Sequence, residues 1–222
     1  MILQSLPAVP AAPELSDAVQ RMAVLFTALE HPPTRATQGL WAELFLIANA
    51  REPVITAESW HNEASERYDF ALALCRLEVK SSGDRTRDHY FSYEQVYPVA
   101  GVNVIIASLF VERSTAGTSL GDLWDAVRAA VSAHSELRLK VDEICFRSLG
   151  SSWPDARALT FDEQLAKQSL AFYHVRDIPR VESELRAGVT EVRFRSDLSL
   201  GQNIFEAQRA LGPLLNTIIG AL

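Results

Sequence analysis

Apolar residues recur at helical spacing over residues 15–30 (LSDAVQRMAVLFTALE), where Val19, Met22, Ala23, Phe26 and Leu29 share one stripe and Ser16 is a candidate N-cap. His31-Pro32-Pro33 ends that helix. A second helical pattern runs from Thr37, its N-cap, to about Ala50 (TQGLWAELFLIANA). Leu40, Leu44, Ile47 and Ala48 form its predicted buried stripe, and Glu43 lies at the border of that stripe. The spacing then drops to two. YDFALALCRLEVKSS predicts a β-hairpin bent between Ala73 and Leu74, which pairs Phe70 with Leu77, Leu72 with Cys75, and Asp69 with Glu78. Alternation assigns Tyr68, Phe70, Leu72, Cys75, Leu77 and Val79 to one apolar face, and Asp69, Ala71, Arg76, Glu78 and Lys80 to the other.

Trp60 falls in a loop-like stretch before this hairpin, and a polar turn from Ser81 to Asp88 follows it. Ser92 reads as the N-cap of a short helix holding Glu94, Gln95 and Val96, closed by Pro98. The run GVNVIIASLFVER holds an apolar stretch of strand length, interrupted by Asn103, as expected for a central strand covered on both faces. Ser119 and Asp122 form a capping-box pattern before LWDAVRAAVSAH, and Ser135 opens a further helix that Gly150 stops. SLAFYHVR and VTEVRFRSDLSL are strand candidates, and a last helix from Ile204 to Leu222 is interrupted at Gly212-Pro213. This order predicts an α/β or α+β fold with a mixed central β-sheet flanked by helices.

The chain has 222 residues, 48% hydrophobic and 22% charged, which suits one domain over 14–222 after a short flexible leader, 1–13. The leader has no Lys or Arg ahead of its apolar residues, so no secretory signal is expected. The longest apolar run, Val102 to Val111, is too short to span a bilayer, so no membrane partner is expected. Cys75 and Cys145 both sit in apolar segments, as buried thiols of a reducing cytoplasm would. A net charge of −7 argues against a nonspecific nucleic-acid binder, but not against an enzyme that meets DNA through a local patch or a partner. Cations come almost entirely from Arg, and only Lys80, Lys140 and Lys167 are lysines, so a Lys within an apolar strand stands out. No phosphate-cradling Gly loop with its Lys, HExxH, CxxC or GxSxG motif occurs, which leaves kinase, zinc-protease, redox and serine-hydrolase readings without support.

Two carboxylates facing each other across a ladder repel unless a cation lies between them. Asp69 and Glu78 therefore suggest a divalent cation, with Lys80 close by. Alternating charges on a solvated edge strand would give the same Glu-x-Lys string. Glu43 joins the set only if its helix packs on the hairpin.

GLWAELFL, Trp60, YDFAL, LEVKSS and HYFSYEQV together resemble the PD-(D/E)XK nuclease superfamily, with its restriction-endonuclease-like fold. They look most like a bacterial branch with a GLWGE…DF…EVK pattern, often associated with restriction or phage-defence genes. The clear match covers about 38–97, and the nuclease core would span about 37–112, with elaboration over 113–222. The resemblance implies metal-dependent hydrolysis of DNA. Asp69, Glu78 and the Val79 carbonyl would hold Mg²⁺ (or Mn²⁺), with Glu43 beside it and Lys80 as the motif lysine. It leaves Gln95, Arg85, Arg87 and His89 as candidates for contacting DNA. Tyr68 stands where the motif has Pro, and this branch would carry more than the 38 residues that precede Gly39. Protein partners of a defence system, or a homodimer, are expected to supply further DNA-binding surface. Two alternatives stay open: an inactive module of the same fold, and an enzyme using Glu43 with Glu78 as an acid/base pair on a small substrate.

Overall fold

The computed structural model describes residues 10–16, 18–20, 22, 37–61, 67–182, 185–204 and 212–218. A four-stranded mixed sheet organises them. Its strands are β1 (Phe70–Leu72), β2 (Cys75–Ser82), β4 (Asn103–Phe110) and β7 (Ala171–His174), in the order β1-β2-β4-β7. The hairpin register is as the alternation predicts, with Phe70 paired to Leu77 and Leu72 to Cys75. Ala73 makes the two-residue turn by adopting a left-handed φ of 52°. β4 runs parallel to β2 and antiparallel to β7, and its six inner residues are all buried. It is the central strand its composition predicts.

Helices cover one face of the sheet. α1 (Thr37–Ala48), α4 (Leu120–Ala130), α5 (Ser135–Leu149) and α8 (Pro213–Ile218) surround the core of Leu77, Ile105, Ala107 and Leu109. α1 is buried on all sides from Leu40 to Ile47, rather than along a single stripe. Trp41 and Phe45 stack within it at 5.3 Å, and the Trp41 indole donates to the Thr118 carbonyl. The opposite face carries a second core around Val104, Ile106, Phe91 and Leu198. It is roofed by a separate antiparallel ribbon, β3 (Asp88–Ser92) with β8 (Arg193–Asp197), and by the short helix α3 (Tyr93–Val96). A small pair, β5 (Arg113–Ser119) with β6 (Thr160–Phe161), lies beside the helical layer. α2 (Pro53–Ser59), α6 (Trp153–Arg157) and α7 (Glu163–Ser169) complete the described elements.

Several expectations change. The first helix already includes residues 12–16, with the Ala11 amide donating to the Glu14 carboxylate, so Ser16 lies inside it. Val19 is 63% exposed, not buried, and the remainder of that pattern beyond Met22 lies outside the described residues. α2 precedes Trp60 despite three consecutive β-branched residues, because Pro53 opens it with a preset φ and Thr56 and Ala57 are buried. Tyr68 joins the second core, not the apolar hairpin face. Residues 67–69 are bends, so strand alternation does not extend through them. The final helix is described only from Pro213 to Ile218, and residues 205–211 lie outside the description. Both cysteines are buried and free. Among the described residues no helix is long and apolar enough to cross a membrane.

Candidate active site

Glu78 and Lys80 project from β2 into the second core, away from α1. The paired register ends at Phe70–Leu77, and Asp69, in the bend just before it, lies close enough for its charge to act on Glu78. The Asp69 carboxylate accepts the Val79 amide at 2.7 Å through Oδ2, which pins the start of β1 to the middle of β2. Glu78 is 6% exposed, and one of its oxygens, Oε1, gathers two donors. Lys80 Nζ donates to it at 2.6 Å and Gln95 Nε2 at 2.8 Å.

Gln95 reaches Glu78 because α3 begins with a complete capping box. Ser92 Oγ accepts the Gln95 amide, and Gln95 Oε1 accepts the Ser92 amide. Its Nε2 is then directed at Glu78 and at the Arg67 carbonyl. Tyr68 fixes the same helix from below, its hydroxyl donating to the Gln95 carbonyl at 3.1 Å.

Burial first, and the Asp69 charge second, push the Glu78 carboxyl up to about 7, against the lowering effects of Lys80 and Gln95. The Lys80 ammonium sits on Glu78, and the Asp69 and Glu78 charges still act against each other. A magnesium-sized cation needs only one or two protein carboxylates, its remaining ligands being water and substrate phosphate. The donor set of Asp69, Glu78 and the adjacent backbone fits such an ion.

Four other candidate residues make their hydrogen bonds outside this cluster. Glu43 is buried on α1, across the sheet from Glu78, and its Oε2 accepts the Trp60 indole N–H at 2.7 Å. The described residues thus do not gather Glu43 with Asp69 and Glu78 as a three-acid metal set. Among the described residues no three His, Cys, Asp or Glu side chains gather as a metal-ligand set. Arg85 pairs with Glu112, Nη2 to Oε2 at 2.9 Å, and lines a different pocket of about 910 Å³ with Thr118, Asp162 and Lys167. Arg87 is half-buried over the Phe110 ring and donates to Ser108 and to the Ser169 carbonyl. That guanidinium ties β4 to the end of α7. His89 is buried against Ser108 Oγ at 2.9 Å. Burial and the Lys80 and Arg87 charges hold its pKa down to about 4, so at neutral pH it brings no cation to a phosphate.

Sequence reasoning missed Arg67, Tyr90 and Arg193. With Lys80, Phe91, Ser92 and Gln95 they line a pocket of about 440 Å³ that opens over the motif lysine. Arg67 stands two residues before Asp69 and could have been noticed. Arg193 is brought in only by the pairing of β8 with β3.

No curated protein and no solved structure matches the chain. The model of a family described as "Putative PD-(D/E)XK family member, (DUF4420)" matches residues 4–199. That span is well over half of the chain, and the chain belongs to this family.

Proposed function

We propose that the chain is a Mg²⁺-dependent nuclease that hydrolyses phosphodiester bonds, in DNA, at Asp69, Glu78 and Lys80. Members of the PD-(D/E)XK family typically use divalent metals, in keeping with this reading. The observation that carries it is the closeness of the half-buried Asp69 to the buried Glu78, whose carboxyl is pushed up to about 7 although Lys80 donates to it. Asp69, Glu78 and the Val79 carbonyl would hold the ion. When bound, it supplies neutralising charge beside the scissile phosphate and lowers the pKa of water.

Lys80 then does two things. It holds Glu78 in place, and it presents an ammonium that can neutralise charge developing on the phosphate or steer the attacking water. Gln95 fixes the Glu78 rotamer with one amide hydrogen, the other going to the Arg67 carbonyl. Phe91 lies under the Lys80 ammonium at 5.1 Å and walls water off from its inner side.

The resemblance to a branch associated with restriction and phage defence supports a cytoplasmic role in such a system. A net charge of −7 supports weak action alone, with DNA affinity completed by protein partners or a second copy. The second reading, an inactive scaffold of the same fold, draws on one observation: Glu43 is held by Trp60 instead of reaching the acids.

A plasmid-nicking assay in Mg²⁺ or Mn²⁺ separates the two. Lys80→Ala and Asp69→Asn should each lower cleavage on the order of 10²–10³-fold. Cleavage that copurifies with the protein and survives both substitutions would refute the nuclease reading.

A further inference from the structure

The outer face of the β3–β8 ribbon alternates away from the core. His89 and Phe91 point inward, whereas Asp88, Tyr90 and Ser92 face out opposite Asp197, Arg195 and Arg193. Tyr90 is 68% exposed although it is aromatic and lies on a paired strand. Arg195, its cross-strand neighbour, is held by Asp88 at 3.0 Å. Arg193 has no charge partner among the described residues. The adjoining pocket of about 440 Å³ contains Arg67, Lys80 and Arg193 but no carboxylate in its lining. In a chain with seven excess negative charges, that local concentration of cations beside an exposed ring is unusual.

We propose that this ribbon is a stacking platform for an unpaired polynucleotide strand. One base rests on Tyr90, and the flanking phosphates lie against Arg193 and Arg67. The next phosphodiester is thereby delivered to Lys80 and Gln95. The assignment rests on the nuclease reading of the site and narrows its substrate to single-stranded or locally opened nucleic acid.

An aromatic face accepts any base, and a phosphate is the group that a guanidinium with no charge partner among the described residues recognises on an open rim. A duplex would bury its bases away from Tyr90. A protein partner would have to cover Arg193 and Arg67 with acids of its own. The polyanion matches what the rim offers.

The test is fluorescence anisotropy of labelled oligodeoxythymidine, oligouridine and a duplex of equal length, in EDTA so that nothing is cut. We expect the wild type to bind the single strands more tightly than the duplex. Tyr90→Ala should weaken that binding on the order of tenfold, Tyr90→Trp should preserve it, and Arg193→Glu should abolish it. A preference among the two single strands tells DNA from RNA and leaves the platform intact. Equal affinity of wild type and Tyr90→Ala would overturn the proposal, as would wild-type binding to the duplex as tight as to the single strands. So would a change in oligomeric state on Tyr90→Ala without any change in affinity, because the ribbon would then be a protein contact. Since binding is read without the cation, Tyr90-dependent binding with no cleavage in Mg²⁺ would fault the nuclease reading alone. Cleavage of the oligonucleotides at wild-type rate by Tyr90→Ala would fault the platform alone.

Discussion

Glu78 carries the electrostatic tension of the site. Unfolded, it loses its proton near 4.5; folded, near 7. Between those values the folded chain holds the extra proton, so stability declines as pH rises through the window. The whole effect is on the order of 3 kcal/mol at most. His89 has the opposite slope: folded, it takes up a proton only near 4 instead of 6.5, so its contribution is lost as pH falls through that range. The two windows overlap, and in the wild type they offset each other. Urea unfolding in EDTA from pH 4.5 to 7 should therefore show the stability of Glu78→Gln gaining steadily on the wild type as pH rises. Parallel curves would mean that Glu78 ionises as an ordinary carboxyl.

Among the elements, α3 has an importance out of proportion to its four residues, because its capping box also orients Gln95. Ser92→Ala should cost about 1 kcal/mol in denaturant unfolding. It should also release Gln95 from Glu78, lowering cleavage while leaving cation affinity near the wild-type value. Gly212 is the second pressure point. Its φ is +94°, and an added Cβ would lie 2.5 Å from Cys75 Sγ. Gly212→Ala should lose on the order of 1–3 kcal/mol. Pairing it with Cys75→Ala should recover the part due to the clash, leaving the backbone strain, as a double-mutant thermal-unfolding cycle would show.

The hairpin was legible in the sequence because Phe70, Leu72, Cys75 and Leu77 alternate cleanly, and register then follows from the turn. β4, the Ser92 N-cap, the Ser119–Asp122 capping box and the Gly150 stop were legible for equally local reasons. Glu43 was misplaced because a helical wheel shows the border of a stripe but not the side of the sheet on which the helix packs. The Arg85–His89 stretch reads as a polar turn, yet Arg87 and His89 are drawn inward by Ser108, a partner some twenty residues further along the chain. β3 went unseen for the same reason: its five residues gain strand character only by pairing with β8, about a hundred residues away.

At the scale of the whole molecule, the proposed platform has an acidic chain meet a polyanion through the pocket of Arg67, Lys80 and Arg193. Three phosphate contacts, from Arg67, Lys80 and Arg193, predict a slope of about −2 for the logarithm of single-strand affinity against the logarithm of salt concentration. A slope near zero would remove phosphate recognition from this pocket. The central claim, however, is one divalent cation shared by Asp69 and Glu78. Electron paramagnetic resonance of Mn²⁺ titrated into the protein tests it without any need for activity. One site is expected in the wild type, displaced by Mg²⁺, weakened at least tenfold in Asp69→Asn and retained in Glu43→Gln. Unchanged Mn²⁺ binding in Asp69→Asn, or no binding by the folded wild type, would contradict it.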